Sequence, residues 1–182
     1  MESLFGWVGK VVEWFGQFFP RWLIIRTTHG GVKFIRGHKL VALGAGWHLY
    51  WPLTTEIMTY PVARQGANLA IQDVITTDGK TIAVGGLIVY EIKNIEAILA
   101  HTWDPEQTIK DIAMSAYFDT LAKMSWIDIR TSMELGTLKL KLRRTARKEL
   151  DKYGVRVLKT SITNLVPTRI YRHLQSQSQD GV

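Results

Sequence analysis

The sequence predicts an α+β fold with an antiparallel, strand-rich first half and a helical second half with a returning strand, preceded by an N-terminal amphipathic helix. Three observations carry that prediction. Strand-like runs separated by turn residues fill Gly30 to about Ile92, helical spacing takes over after Asn94, and an extended run returns at Val155 to Val166. Strands grouped before helices argue against a doubly wound parallel sheet. The expected organisation is an amphipathic segment at 1–22, a strand-rich subdomain at 23–95, a helical subdomain at 96–168 and a polar tail at 169–182.

The opening segment, Met1 to Phe19, sorts into two faces when wound as a helix at about 100° per residue. Leu4, Phe5, Trp7, Val8, Val11, Val12, Trp14, Phe15, Phe18 and Phe19 fill one half of the wheel, and Glu2, Ser3, Gly6, Gly9, Lys10, Glu13, Gly16 and Gln17 fill the other. So many aromatic rings on one face require cover by lipid or protein. Eighteen helical residues reach about 27 Å, near the roughly 30 Å of a hydrocarbon core, so length alone permits a span. Charge opposes it: Lys10 and Glu13 sit mid-segment, where a charged residue costs about 2.5 to 3.5 kcal/mol and each apolar residue returns only about 0.3 to 0.6. The segregated faces favour a helix lying in the membrane interface over a span or a helix docked into its own core. Pro20 and Arg21 end the segment. Glu2 replaces the basic start of a secretory signal, and Met-Glu does not accept a myristoyl group. These features place the chain on the cytoplasmic face, as a peripheral protein.

The strands follow in order. Gly31 to Ile35, a turn at Arg36 to His38, and Leu40 to Leu43 come first. The Gly44-Ala45-Gly46 turn leads into Trp47 to Pro52, and Glu56 to Val62 resumes the extended pattern. Leu69 to Thr76, Asp78-Gly79 and Thr81 to Ile92 read as a hairpin, because Asp-Gly supplies the positive φ of a tight turn.

Helices follow Asn94. A short one is expected over Ile95 to His101, and a longer one opens at Asp104-Pro105-Glu106-Gln107, with Asp104 as cap and Gln107 reaching back to complete a capping box. Ile109, Ile112, Ala113, Ala116, Tyr117, Leu121 and Met124 make its buried stripe. A third helix, roughly Met133 to Tyr153, places Leu135, Leu138, Leu142, Ala146 and Leu150 on one side, and Gly154 ends it. Pro167 closes the folded part, and a tail rich in Gln and Ser begins near Gln175.

Composition narrows the function classes. The 182 residues include about 160 beyond the first helix, enough for a domain with a real core. Cysteine is absent, which removes thiolate nucleophiles, disulfides and cysteine metal sites. A net charge of +7 calls for an anionic partner, and beside an amphipathic anchor acidic lipid is the economical one.

Four blocks, in order, carry a resemblance. Gly31-Val32-Lys33-Phe34-Ile35-Arg36-Gly37 with Leu43-Gly44-Ala45-Gly46-Trp47-His48-Leu49 and Pro52 resembles the opening of the band 7 domain of the stomatin, prohibitin and flotillin superfamily. Gln72 to Thr81 with Val89-Tyr90-Glu91-Ile92 is similar to its central hairpin, Asp104-Pro105-Glu106 and the helix to Met124 to its later helices, and Tyr153 to Leu158 with Ile162 to Leu165 and Pro167 to its closing strand. The resemblance implies membrane-associated proteins that assemble side by side into rings or cages and restrain partners such as membrane proteases and channels, without catalytic residues. Members usually continue into a long coiled coil; about 15 residues follow Pro167 here, which implies a short form. The usual Gly-Pro-Gly turn is Gly44-Ala45-Gly46.

Within that frame, the turn carrying Trp47, Leu49, Tyr50 and Trp51 is a candidate second lipid contact, since aromatic rings with polar tips favour headgroup depth; packing within the body is the alternative. His48 reads as a structural histidine. Lateral contacts are assigned to the helical half, with Leu138, Leu142, Arg143 and Arg147 as candidates. No cofactor or metal is implied: the histidines lack ligand spacing, and neither a Gly-x-Ser-x-Gly elbow nor a phosphate loop is present. Nucleic acid is disfavoured, because only Tyr153 accompanies the basic run from Lys139 to Lys152. The reading is an oligomeric membrane scaffold with lipid, further copies and a membrane protein as partners. The competing reading is an adaptor or inhibitor whose aromatic helix docks on a protein such as a membrane protease.

Overall fold

The computed structural model describes residues 19–37 and 39–168. The expected amphipathic segment, with Leu4, Phe5, Trp7, Val8, Val11, Trp14, Phe15 and Phe18, lies outside the described residues, as do His38 and the tail. Within them eight strands form three antiparallel sheets, and four helices follow β7 before the chain returns as β8.

The first sheet is a two-stranded ribbon of β1 (Arg21–Ile25) and β4 (Gly46–Tyr50). The second places β2 (His29–Ile35) between β3 (Lys39–Leu43) and β5 (Thr55–Pro61). The Gly44-Ala45-Gly46 segment is thus a switch between sheets, with Gly46 at φ +137°. The third sheet has the order β6 (Gln65–Ile75), β7 (Thr81–Ile92), β8 (Val155–Pro167). It draws strands from both sides of residue 95, where the sequence reading divides the chain. The β6–β7 hairpin closes at Thr76, whose N–H donates to the Lys80 carbonyl at 2.9 Å, with Gly79 at φ +74°.

The helices are α1 (Ile95–His101), α2 (Pro105–Leu121), α3 (Trp126–Glu134) and α4 (Thr137–Leu150), the last followed by a 3₁₀ turn, Asp151–Tyr153. Asp104 caps α2 by accepting from the Gln107 N–H at 3.1 Å. The reciprocal half of the capping box does not form: the Gln107 side chain donates forward to Asp111 at 2.8 Å. The helix expected from Met133 to Tyr153 starts later, because Met133 and Glu134 end α3, a separate helix that the sequence reading did not anticipate. Gly136 takes φ +70°, the Leu135 N–H closes back on the Thr131 carbonyl, and α4 begins only afterwards. Leu135, expected in the buried stripe, is therefore 71% exposed.

The core lies between the inner face of the third sheet and α2 and α4. Alternate residues of β7, Ile82, Val84, Ile88 and Tyr90, point inward. Ile109, Ala113, Ala116, Tyr117 and Leu121 of α2 and Leu138, Leu142, Ala146 and Leu150 of α4 meet them. Gly86 completes that row: a Cβ there would lie 2.6 Å from the Tyr117 ring, so only glycine leaves room for the phenol, which reaches the Leu87 and Ser161 carbonyls at 3.4 and 3.3 Å. Burial pushes the Tyr117 phenol up to about 12. The two halves are tied by α1, where Glu96 accepts the Ala42 N–H, and by the Gly154 carbonyl, which accepts from Lys93 and Asn94.

Candidate functional site

The β1–β4 ribbon has two unlike faces because its side chains alternate. The register pairs Trp22 with Leu49 and Ile24 with Trp47, so these four share a face. They are 69%, 49%, 57% and 69% exposed, a contiguous patch of large apolar side chains in water. The opposite face carries Leu23, Ile25, His48 and Tyr50. Ile25 is its anchor: it is buried against Gly31 of β2, where an added Cβ would lie 2.5 Å from the Ile25 Cδ1. His48 holds the switch by bonding the Gly44 carbonyl through Nε2 at 2.8 Å.

The apolar face continues around one end of the ribbon. Arg21 pairs with Tyr50, so Phe19 and Trp51 flank the same end, and both are exposed. Trp51 and Leu53 belong to the turn into β5, whose Thr54 carbonyl accepts from the Arg36 N–H at 2.9 Å. That bond sets the β2–β3 turn beside the tryptophan turn. Arg36 and Lys39, both exposed, therefore stand at the Trp51 end of the ribbon, where Arg21 is also exposed, on the strand face opposite to Trp22. Tryptophans with cations at one end suit the boundary between acyl chains and acidic headgroups, where rings are half buried and ammonium or guanidinium groups meet phosphate.

Of the aromatic residues singled out in the sequence, Trp47 and Trp51 are exposed here, whereas Tyr50 turns to the inner face and is half buried. Phe19 is the one member of the N-terminal apolar face among the described residues. Trp22 and Ile24 were not singled out in the sequence as members of an exposed face. The run Trp22-Leu23-Ile24-Ile25 is uniformly apolar, so its two faces become distinguishable only once β4 pairs with it.

The lateral candidates on α4 divide. Leu138 and Leu142 are 1% and 0% exposed, packed in the core, which removes them from any surface between copies. They sit on the one stripe that α4 turns to the sheet, so the same spacing that drew attention to them buries them. Arg143 and Arg147 are exposed; Arg143 donates to the Leu158 carbonyl at 3.4 Å and Arg147 pairs loosely with Asp151 at 3.9 Å. Among the described residues no group of three or more His, Asp or Glu converges on one point, and no helix is long and apolar enough to cross a membrane.

No curated protein matches the chain. The family model for the SPFH domain / Band 7 family matches residues 23–180, a range that starts within β1 and takes in all three sheets and the helical layer closed by β8. The chain belongs to the SPFH domain / Band 7 family.

Proposed function

We propose that this protein is a peripheral, non-enzymatic membrane scaffold whose copies associate laterally, and that it meets the bilayer through two elements: the N-terminal segment and the outer face of the β1–β4 ribbon. SPFH proteins are membrane-associated and oligomerise, which supplies the setting. The observation that carries the reading is the exposed set Trp22, Ile24, Trp47 and Leu49 on one face of the ribbon, with exposed Arg21, Arg36 and Lys39 at its Trp51 end. These four stand together on one face of a two-stranded ribbon, and a contiguous apolar face of that kind suits a partner surface. The ribbon starts where the apolar segment ends, so both elements reach one membrane plane together. Many such contacts held in one assembly bind a membrane far more tightly than one, since each bound copy raises the effective concentration of the rest. The cytoplasmic leaflet, with its acidic lipids, is the surface this charge pattern fits.

Flotation of the full chain with vesicles tests the proposal. Wild type should float with vesicles containing acidic lipid and less with neutral ones. Removing Met1 to Pro20 should abolish most flotation, and Trp22→Asp with Trp47→Asp should reduce it by about tenfold with the N-terminal segment intact. Unchanged flotation of the ribbon variant overturns the two-element reading. A stoichiometric complex with one membrane protein that forms without lipid favours the adaptor reading instead.

A further inference from the structure

The third sheet and its helices are electrically polarised from edge to edge. In the order β6-β7-β8, α2 packs over the β6 side, where the Met114 carbonyl accepts from Gln72, and α4 packs over the β8 side, where the Lys139 carbonyl accepts from Thr160. The helices touch along their inner flanks, with Thr120 bonded to Thr145 at 3.1 Å. Their outer flanks differ. On α4, Leu140, Arg143 and Arg147 line the flank away from α2, and the helix carries six Lys or Arg against one Glu. On α2, Asp111 and Phe118 lie about half a turn from Thr120 at roughly 100° per residue, so they face away from α4. Asp104 and Glu106 precede them, with Lys110 already paired to Glu106 at 2.6 Å.

The two flanks also match in height along the strands. Arg143 rests on Leu158, next to Lys159, which stands opposite Val89, itself opposite Gly66. The first turns of α2 lie at that same level, close enough to Tyr60 and Tyr90 for the Glu106 charge to add to the burial that raises both phenols. Each flank carries one exposed apolar residue among its charges, Leu140 at 59% and Phe118 at 42%.

We propose that a second copy of this chain docks head to tail, the basic α4 flank of one against the acidic α2 flank of the next. This rests on the lateral association proposed above and assigns its surface. Two α4 flanks meeting each other would set like charges together, so a symmetric pairing of that edge is excluded by the same charges. An unlike pair of edges repeats from copy to copy, which is the geometry of rings and filaments. The contact runs through side chains of the helices rather than by strand addition, because β6 and β8 carry bulges, at Leu69/Gln72 and opposite Gly85/Gly86, that interrupt a continuous edge.

Charge exchange tests this in the full chain, with assembly read by sedimentation in mild detergent and flotation read separately. Arg143→Glu with Arg147→Glu makes both flanks acidic, and Gln107→Arg with Asp111→Arg makes both basic; each chain alone should lose assembly by about tenfold or more in concentration. Mixed together, or combined in one chain, they should recover it, and melting curves must match wild type throughout. Wild-type assembly should also weaken as salt rises. Assembly of either charge variant alone at wild-type concentration overturns the proposal, as does failure of both the mixture and the combined chain to recover. If the arginine variant loses flotation while assembly persists, that flank serves anionic lipid and not a second copy. A wild-type chain that stays monomeric in detergent and on vesicles overturns the scaffold reading as well.

Discussion

The β1–β4 ribbon and α4 dispose of most of their large apolar residues in opposite ways. In α4, Leu138, Leu142 and Leu150 are at most 1% exposed, and apart from Leu140 the surface is left mainly to Lys and Arg. In the ribbon, Trp22, Ile24, Trp47 and Leu49 stand outside, and the inner face is held mainly by Ile25. On the proposed function, the difference separates residues that hold the fold from residues that meet the membrane. Removing the first kind should cost stability without changing what the surface recognises, and removing the second should do the reverse.

The largest expected effect is in the helical layer. Leu142→Ala should cost about 2 to 5 kcal/mol in urea unfolding, since the site is enclosed by sheet and helix and has little room to collapse. Vesicle binding per folded molecule should be unchanged. A loss of binding without a loss of stability would break the division. Alkaline pH probes the same layer. Burial pushes the phenols of Tyr90 and Tyr117 up to about 12, against about 10 in the unfolded chain. The unfolded state therefore loses its protons first, and the stability these groups provide is complete below about pH 10 and disappears as pH rises to about 12. Each contributes on the order of 2 kcal/mol to that fall. Tyr117→Phe should flatten the pH dependence by one such step, measured by urea midpoints at successive pH values.

Smaller effects follow outside the core. Asp104→Ala removes the α2 cap and should cost about 1 kcal/mol. Trp22→Ser with Trp47→Ser should change stability least, by about 0.5 kcal/mol or less, because neither ring is packed. Vesicle flotation should nevertheless fall steeply in that variant. A large stability loss there would mean that the ribbon face is covered by protein, and the contrast between the two regions would collapse.

The two regions were also unequally legible. The β6–β7 hairpin, the start of α2 at Asp104 and the return at Val155 were visible because each depends on neighbours in the chain: an Asp-Gly turn, a cap three residues from its partner, a glycine after a helix. The split between α3 and α4 was hidden because Leu135 keeps the spacing of the leucine stripe while Gly136 breaks the backbone beneath it. The ribbon face was half visible. Trp47 and Trp51 stood out as aromatic residues near a turn, but Trp22 and Ile24 become part of the same face only through pairing with a strand more than twenty residues away. Long-range register of that kind leaves no local periodicity to read.

The central claim is that the ribbon, and not the helical layer, faces the bilayer. Tryptophan depth measures it directly, because Trp47 lies in the ribbon and Trp103, before α2, is more open to solvent still. Full chains retaining only one of these two tryptophans, the others replaced by Phe, would be bound to vesicles of bromine-labelled acidic lipid. The account predicts that Trp47 emission shifts to the blue and is quenched by bromines near the headgroups, while Trp103 is unaffected. Equal quenching of both, or quenching of Trp103 alone, would contradict it.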